Sequence, residues 1–381
     1  MATVGNWQGY TELVELLLEK SADVERRDRG GATALVWACA AAGEAAGDVG
    51  PATALVAAGA SVNSRGWDMG DTPLLCAVSG GHTELAQLLI GAGAELGVAD
   101  EAGRGVVDVA VEGSLPDLAN ALIEAGAPCD LGCACALGDV ALVERLLDDA
   151  SGRGVGGAGG AGGVGGVGGA VAMDTPDTAR GMTPLMKAAA EGHALCVKLL
   201  LERGASLTPR DDDGRDALLW ACESCTHSLT GGEREEGVGG EGRECFVACA
   251  KVLVGAGAAV ETSDAHGHTP LIRAAVSGHA ALVTWLIEIG APVDARDAHA
   301  ASALLRAAAA AHDAAVAALI AGKADLDAAD RLGRTALHAA CERGHEGCAS
   351  LLIAAGAPLN CTDLHGETAL MAACEGGVLA A

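Results

Sequence analysis

Two cysteine pairs carry the most chemistry-like spacing in the chain. Two residues separate Cys222 from Cys225, three separate Cys245 from Cys249, and 19 residues lie between the pairs. Paired thiolates at such intervals suit tetrahedral zinc, and His227 could add a ligand. The same residue type also recurs in register. Cys39, Cys135, Cys222, Cys341 and Cys374 share one slot of an internal period and Cys196, Cys249 and Cys348 another, which covers eight of the 14 cysteines. A buried cysteine packs as a small apolar residue. Packing is therefore the preferred reading, with no metal and no cofactor expected, and zinc at Cys222, Cys225, Cys245 and Cys249 is the alternative.

Other constellations are weaker. Gly154 to Gly159 matches GxGxxG by composition but has no preceding strand, following helix or later acidic residue. His82, His193, His279, His312 and His345 occupy one repeated slot. Such recurrence reads as architecture, an imidazole hydrogen-bonded near inter-repeat turns. Asp211-Asp212-Asp213 reads as a solvated tip. Nucleophile elbow, HExxH, P-loop and kinase signatures are missing from the sequence, so no catalysis is expected.

What positions these residues is a period of 33. With the Thr before the first Leu of each unit as anchor, anchors fall at Thr33, Thr72, Gly105, Thr183, Asp216, Thr269, Ser302, Thr335 and Thr368, and five of the eight intervals are 33 residues. Eight of nine anchors have Gly two residues earlier, Ala300 being the exception, and seven have Asp five residues earlier. Asp and Gly suit a tight turn with positive φ at Gly. The anchor hydroxyl suits a helix N-cap, with Pro73, Pro184 and Pro270 at the first helical position. A second helix carries a Leu-Leu pair such as Leu351-Leu352 and stops at a glycine such as Gly356.

Gly-x-Thr-Pro-Leu opening the first helix, Ala-Ala within it and Gly-His before the second resemble the ankyrin repeat. The expected fold is all-α with short β-turn fingers, an ankyrin-type helical solenoid of about eleven units with the first and last incomplete. Residues 1–150 hold units 1 to 5, 151–177 a Gly-rich flexible linker, and 178–381 units 6 to 11 with an acidic Gly/Glu loop at about 226–244. The stack runs unbroken past the linker or divides there. Both ends fall inside a unit and neither looks polar, so the chain reads as a fragment or incomplete gene model of a longer protein.

In ankyrin-like stacks the fingers and first helices line a concave groove where variable residues contact partners. The relevant slots lie four, three and one before the anchor and four after it. Across units 6 to 10 they hold Arg180, Lys187, Arg215, Arg273, Arg306, Arg331 and Arg334 against only Asp212 and Asp213, with His266, His268, His299 and Trp220 in the same set. Exposed Trp and Arg commonly anchor interfaces. The neighbouring Asp211, Asp264, Asp297 and Asp330 are expected to face their own turn amides. In units 2 to 5 the slot holds Trp37, Cys76, Val109 and Cys133, which predicts a drier groove or packing on something else.

Composition bounds the function. The chain has 381 residues, 56 of them Gly and only seven aromatic, and a net charge of −27. Such acidity argues against nucleic acid and anionic membranes. No secretory signal is visible, and thiols without one suggest a cytoplasmic or nuclear protein. The expected function is a monomeric, non-catalytic scaffold whose protein partner presents an acidic peptide or surface. A targeting or regulatory arm of a larger enzyme, ligase or channel is the second reading.

Overall fold

The computed structural model describes residues 8–41, 49–66, 71–150, 173–177, 179–223 and 241–379. The expected Gly-rich linker up to residue 172, most of the loop at 226–244, Cys225 and His227 lie outside them. Among the described residues there are twenty α-helices, and the only β pairings are isolated bridges at finger bases, such as Arg296 with Ser302. The chain divides into two compact units, the first Met1–Cys133 and the second Ala134–Ser228 with Glu233–Ala381.

Local rules set each repeat. Thr269 stands in extended backbone and its Oγ1 accepts the Ile272 amide at 3.4 Å, Pro270 follows, and the first helix runs Pro270–Val276. Thr183 and Ser302 do the same for Pro184–Ala190 and Ala303–Ala309. Where the anchor is Gly105, the Asp108 carboxylate three residues on accepts the Gly105 amide at 2.7 Å instead. Seven-residue helices are too short to persist alone. They are held because first helices pack on first helices of the next unit and second helices on second helices, such as Ala280–Glu288 on Asp313–Ala321.

The contact layer is thin. Ala274, Ala275, Ala307, Ala308 and Ala340 are fully buried between helices that approach closely, while Leu282, Leu286 and Leu319 fill the space between the two rows. Burying each such leucine contributes about 2 kcal/mol. Cys39, Cys135, Cys196, Cys222, Cys249 and Cys348 are fully buried in this layer, in keeping with the packing reading. Cys245 is exposed. The second helix of unit 7 begins at Glu241, inside the segment expected as loop, and reaches Gly255.

In the second unit the fingers are joined backbone to backbone. The amides of Asp212, Ala265, Ala298, Arg331 and Leu364 donate to the carbonyls of Arg180, Asp213, His266, His299 and Leu332 at 2.8–3.1 Å. Each bond steps one repeat along, so units 6 to 11 form one ladder. Close approach explains the turn glycine. Gly267 has φ +77°, and a Cβ there would lie 2.8 Å from the Ala298 nitrogen. Three of the five repeated histidines serve the same stacking. Nε2 of His193, His312 and His345 lies 2.8–3.2 Å from the carbonyls of Ala136, Val276 and Ala309 in the preceding repeat. A carbonyl can only accept, so Nε2 carries the proton.

Candidate partner-binding groove

The groove is built around one aspartate per finger, and its two oxygens have separate duties. Oδ1 of Asp264 accepts the amides of His266 and His268, both at 2.8 Å, and Oδ1 of Asp297 and Asp330 takes the matching amides of their own turns. That is the expected orientation. Oδ2 was not anticipated: it takes a long side chain from the groove. Arg273 binds Asp264, Arg306 binds Asp297 with Nε at 2.7 Å, and Arg334 binds Asp330 with Nη2 at 2.9 Å. Lys187 reaches Asp177 at 3.1 Å, that aspartate standing one residue earlier than in other units.

Unit 7 is the densest case. Oδ2 of Asp211 accepts Arg215 Nε at 2.9 Å and Trp220 Nε1 at 3.0 Å, and the guanidinium lies 4.0 Å above the indole centroid. Arg215 also pairs with Asp213 and with Glu223, which reaches Arg273 as well. Burial alone would raise the Asp264 and Asp297 carboxyls. Hydrogen bonds from Arg273, Arg306 and the turn amides outweigh it, and both are held below the usual carboxylate range.

Two expectations are corrected here. Trp220 is 2% exposed, so it is a packed wall and not an exposed anchor. The basic surplus is also consumed, because the cations at Lys187, Arg215, Arg273, Arg306 and Arg334 meet carboxylates at Asp177, Asp211, Asp213, Glu223, Asp264, Asp297, Asp330 and Glu342. Arg180 and Arg331 are exposed on fingers and have no ion-pair partner among the described residues. His266 and His299 are exposed beside them. His268 is half-buried, its Nδ1 3.4 Å from Asp264 and its Nε2 3.5 Å from Asp297.

Side-chain size four residues after the anchor decides where the groove is open. Lys187, Trp220, Arg273 and Arg306 fill it. Where that slot is small, clefts remain. One of about 640 Å³ lies in the first unit over Cys76 and Val109, and one of about 690 Å³ in the second over Ala372, between Arg334 and Glu367. In both places the finger aspartate is satisfied from one residue before the anchor, by Arg104 on Asp100 and by Arg334 on Asp330.

Ligand geometry for a metal occurs once among the described residues, where one atom each of Asp108, Asp130 and Cys133 lie within 4.8 Å of one another. Asp130 there caps its helix through the Cys133 amide, and the Cys133 thiol donates to Asp108.

Family models for ankyrin repeats match much of the chain. The three-copy ankyrin repeat model matches residues 131–230 and 304–380, the many-copy model 44–90, and the single-repeat model 266–298. The chain belongs to the ankyrin repeat family. Among the solved structures that match is the crystal structure of the ankyrin repeat domain of Bcl-3, described as a unique member of the IkappaB protein family. It is 25% identical, with a TM-score of 0.47, covering 64% of this chain and 93% of that one. Comparison with curated proteins gives no match.

Ankyrin repeats are in general protein–protein interaction modules, and this fold is typically non-enzymatic. No helix among the described residues is long and apolar enough to cross a membrane. The pairing rule that sequence reading passed over has a sequence signal. Apart from Asp363, the aspartates five residues before an anchor are followed by a cation or indole at four or nine residues: Asp100 to Arg104, Asp211 to Arg215 and Trp220, Asp264 to Arg273, Asp297 to Arg306, Asp330 to Arg334, and Asp28 to Trp37. Asp–Arg spacing at four and nine would have marked these arginines as internal partners.

Proposed function

We propose that this ankyrin repeat chain is a non-catalytic interaction scaffold that holds a protein or peptide segment against its fingers and first helices. The observation that carries the reading is the backbone ladder of fingers in units 6 to 11. It fixes the turn positions before any partner arrives, so binding orders little of the scaffold. The expected acidic partner keeps a narrower basis than the seven cations first counted. Of those seven, Arg180 and Arg331, exposed on their fingers, are the two whose guanidinium groups have no carboxylate partner among the described residues. An acidic element of the partner therefore meets these two positions, and the 690 Å³ cleft near Leu332 and Glu367 receives a neighbouring side chain.

Affinity capture by the full chain, with Arg180→Glu/Arg331→Glu and Ala372→Trp variants alongside, tests this. The first should reduce capture at low salt and the second should block the cleft. A full chain that captures no protein, or one whose capture ignores both variants, overturns the reading.

A further inference from the structure

The first unit's cleft has a carboxylate in a slot where most repeats carry none, Glu367 of unit 11 being the other case. One residue before the anchor, units 4, 7, 8 and 10 carry Arg104, Arg215, His268 and Arg334, each facing a finger aspartate. Unit 3 carries Asp71 in that slot, and Trp67 stands where its finger aspartate would be. Unit 3 thus places a carboxylate on the groove wall. Asp71 is half-buried and has no ion-pair partner among the described residues. The adjacent cation is already committed, with Arg104 2.7 Å from Asp100 and 2.8 Å from Glu112. Glu101, exposed on the next finger, adds to the same wall.

The rest of the cleft is small or apolar. Ala40, Leu75, Cys76 and Val109 line it and leave about 640 Å³ open. Burial pushes the Cys76 thiol up to about 12, with Asp71 adding to the effect, so the floor is a neutral thiol. An apolar trough ending on uncompensated carboxylates matches a side chain with an aliphatic stem and a cationic head. Burial raises the Asp71 carboxyl, and so do Asp100 and Glu101, while Arg104 lowers it.

We propose that this cleft docks a lysine or arginine side chain projecting from a protein partner, its stem over Cys76 and Val109 and its charge against Asp71. The proposal rests on the scaffold reading and adds a site and a partner charge that reading does not contain. The same carboxylates disfavour an acidic side chain there. Elsewhere the chain supplies this cation itself, as Arg273 does for Asp264. In unit 3 the partner supplies it.

The test uses the full chain and fluorescent decapeptides of Gly and Ser with a central Lys-Ala-Arg, a norleucine-Ala-norleucine, or a Glu-Ala-Glu. Anisotropy at 50 mM NaCl should show the basic peptide binding at least fivefold more tightly than either other peptide. Asp71→Asn should weaken it at least fivefold, and Cys76→Lys, which places an internal cation in the cleft, should do likewise. Glu124→Gln, an exposed acid distant in sequence from the cleft, should leave binding within twofold. Thermal unfolding of each variant confirms that it is folded. Equal weakening by Glu124→Gln would show attraction to net charge alone and overturn the proposal. Indifference to Asp71→Asn, or norleucine binding as well as Lys-Ala-Arg, would also overturn it. Capture of partners by the full chain with an indifferent Asp71→Asn would reject the cleft and leave the scaffold reading standing. Failure of all capture would reject the scaffold reading.

Discussion

The two compact units carry the same repeat but finish its groove differently. In the second, long side chains four residues after the anchor lie back onto the finger aspartates, and the carboxylates of Asp211, Asp264 and Asp297 have no side-chain exposure. In the first, the same slot holds Trp37, half-exposed with its indole nitrogen 2.8 Å from Asp28, and then Cys76 and Val109, which reach no aspartate. Among its described residues lateral bonds run through side chains, such as Asn63 accepting the Glu95 amide at 2.8 Å and Arg27 donating to the Arg65 carbonyl at 3.0 Å. One unit uses its polar residues to stiffen the stack, and the other leaves part of them facing open space. A basic residue in a repeat groove is thus evidence of binding only after its own finger has been checked for a partner.

If the arginines of the second unit are structural, removing one should cost far more there than in the first. Arg273→Ala leaves the buried Asp264 carboxylate without its guanidinium, which costs about 3 kcal/mol. Arg104→Ala, at a guanidinium 40% exposed over a partly accessible Asp100, costs about 1 kcal/mol or less. Urea unfolding of the two variants measures the contrast. Equal losses would mean that the groove pairs of the second unit are as solvent-screened as those of the first.

Acid should separate the units in a particular order. His268 is held below its ordinary range chiefly by burial and then by Arg273, with Arg306 adding to this and Asp264 and Asp297 opposing it. A histidine with a depressed folded pKa contributes stability that is complete above about pH 6.5 and is lost as pH falls through the folded value. Asp264 and Asp297 are depressed too, so their contribution goes later, below about pH 3.9. Asp71 has the opposite sign. Its raised carboxyl favours the protonated folded form, so its surroundings gain stability as pH falls toward 3.9. Hydrogen exchange at the amides of His268 and Ala298 should therefore quicken first, and His268→Gln should remove that early step while leaving the later one.

The architecture was legible because its determinants are local and repeated. Thr183, Thr269 and Ser302 cap helices in the same way, and His312 and His345 reach back one repeat through the same nitrogen. The groove was less legible, because counting charges at variable slots ignores where each side chain lies. Arg273 and Arg306 stand nine residues after aspartates that a finger turn folds back toward them. Trp220 shows the same limit, since the slot that leaves Trp37 half-exposed in unit 2 is roofed by Arg215 in unit 7. Asp71 was passed over because charges were counted only across units 6 to 10, and in unit 3 only the slot four after the anchor was read.

The smallest effect concerns the turn that makes the finger. Gly103 in the first unit and Gly333 in the second, with φ +80° and +78°, donate their amides to Asp100 and Asp330 carbonyls at 3.0 Å, and Ala300, with φ +60°, donates to Asp297 at 2.9 Å. The same turn is therefore built from glycine in these fingers and from alanine at Ala300. An L-residue there costs about 1 kcal/mol in local strain. Glycine returns about half of that as added freedom of the unfolded chain. Gly103→Ala, whose new Cβ would meet nothing within 4 Å, should lower stability by about 0.5 kcal/mol, and Ala300→Gly should raise it by a similar amount. Paired thermal unfolding reads both signs. If Ala300→Gly instead destabilises, the Ala300 methyl is contributing to finger packing, and the tighter ladder of the second unit would then depend on a side chain that the repeat pattern counts as an exception.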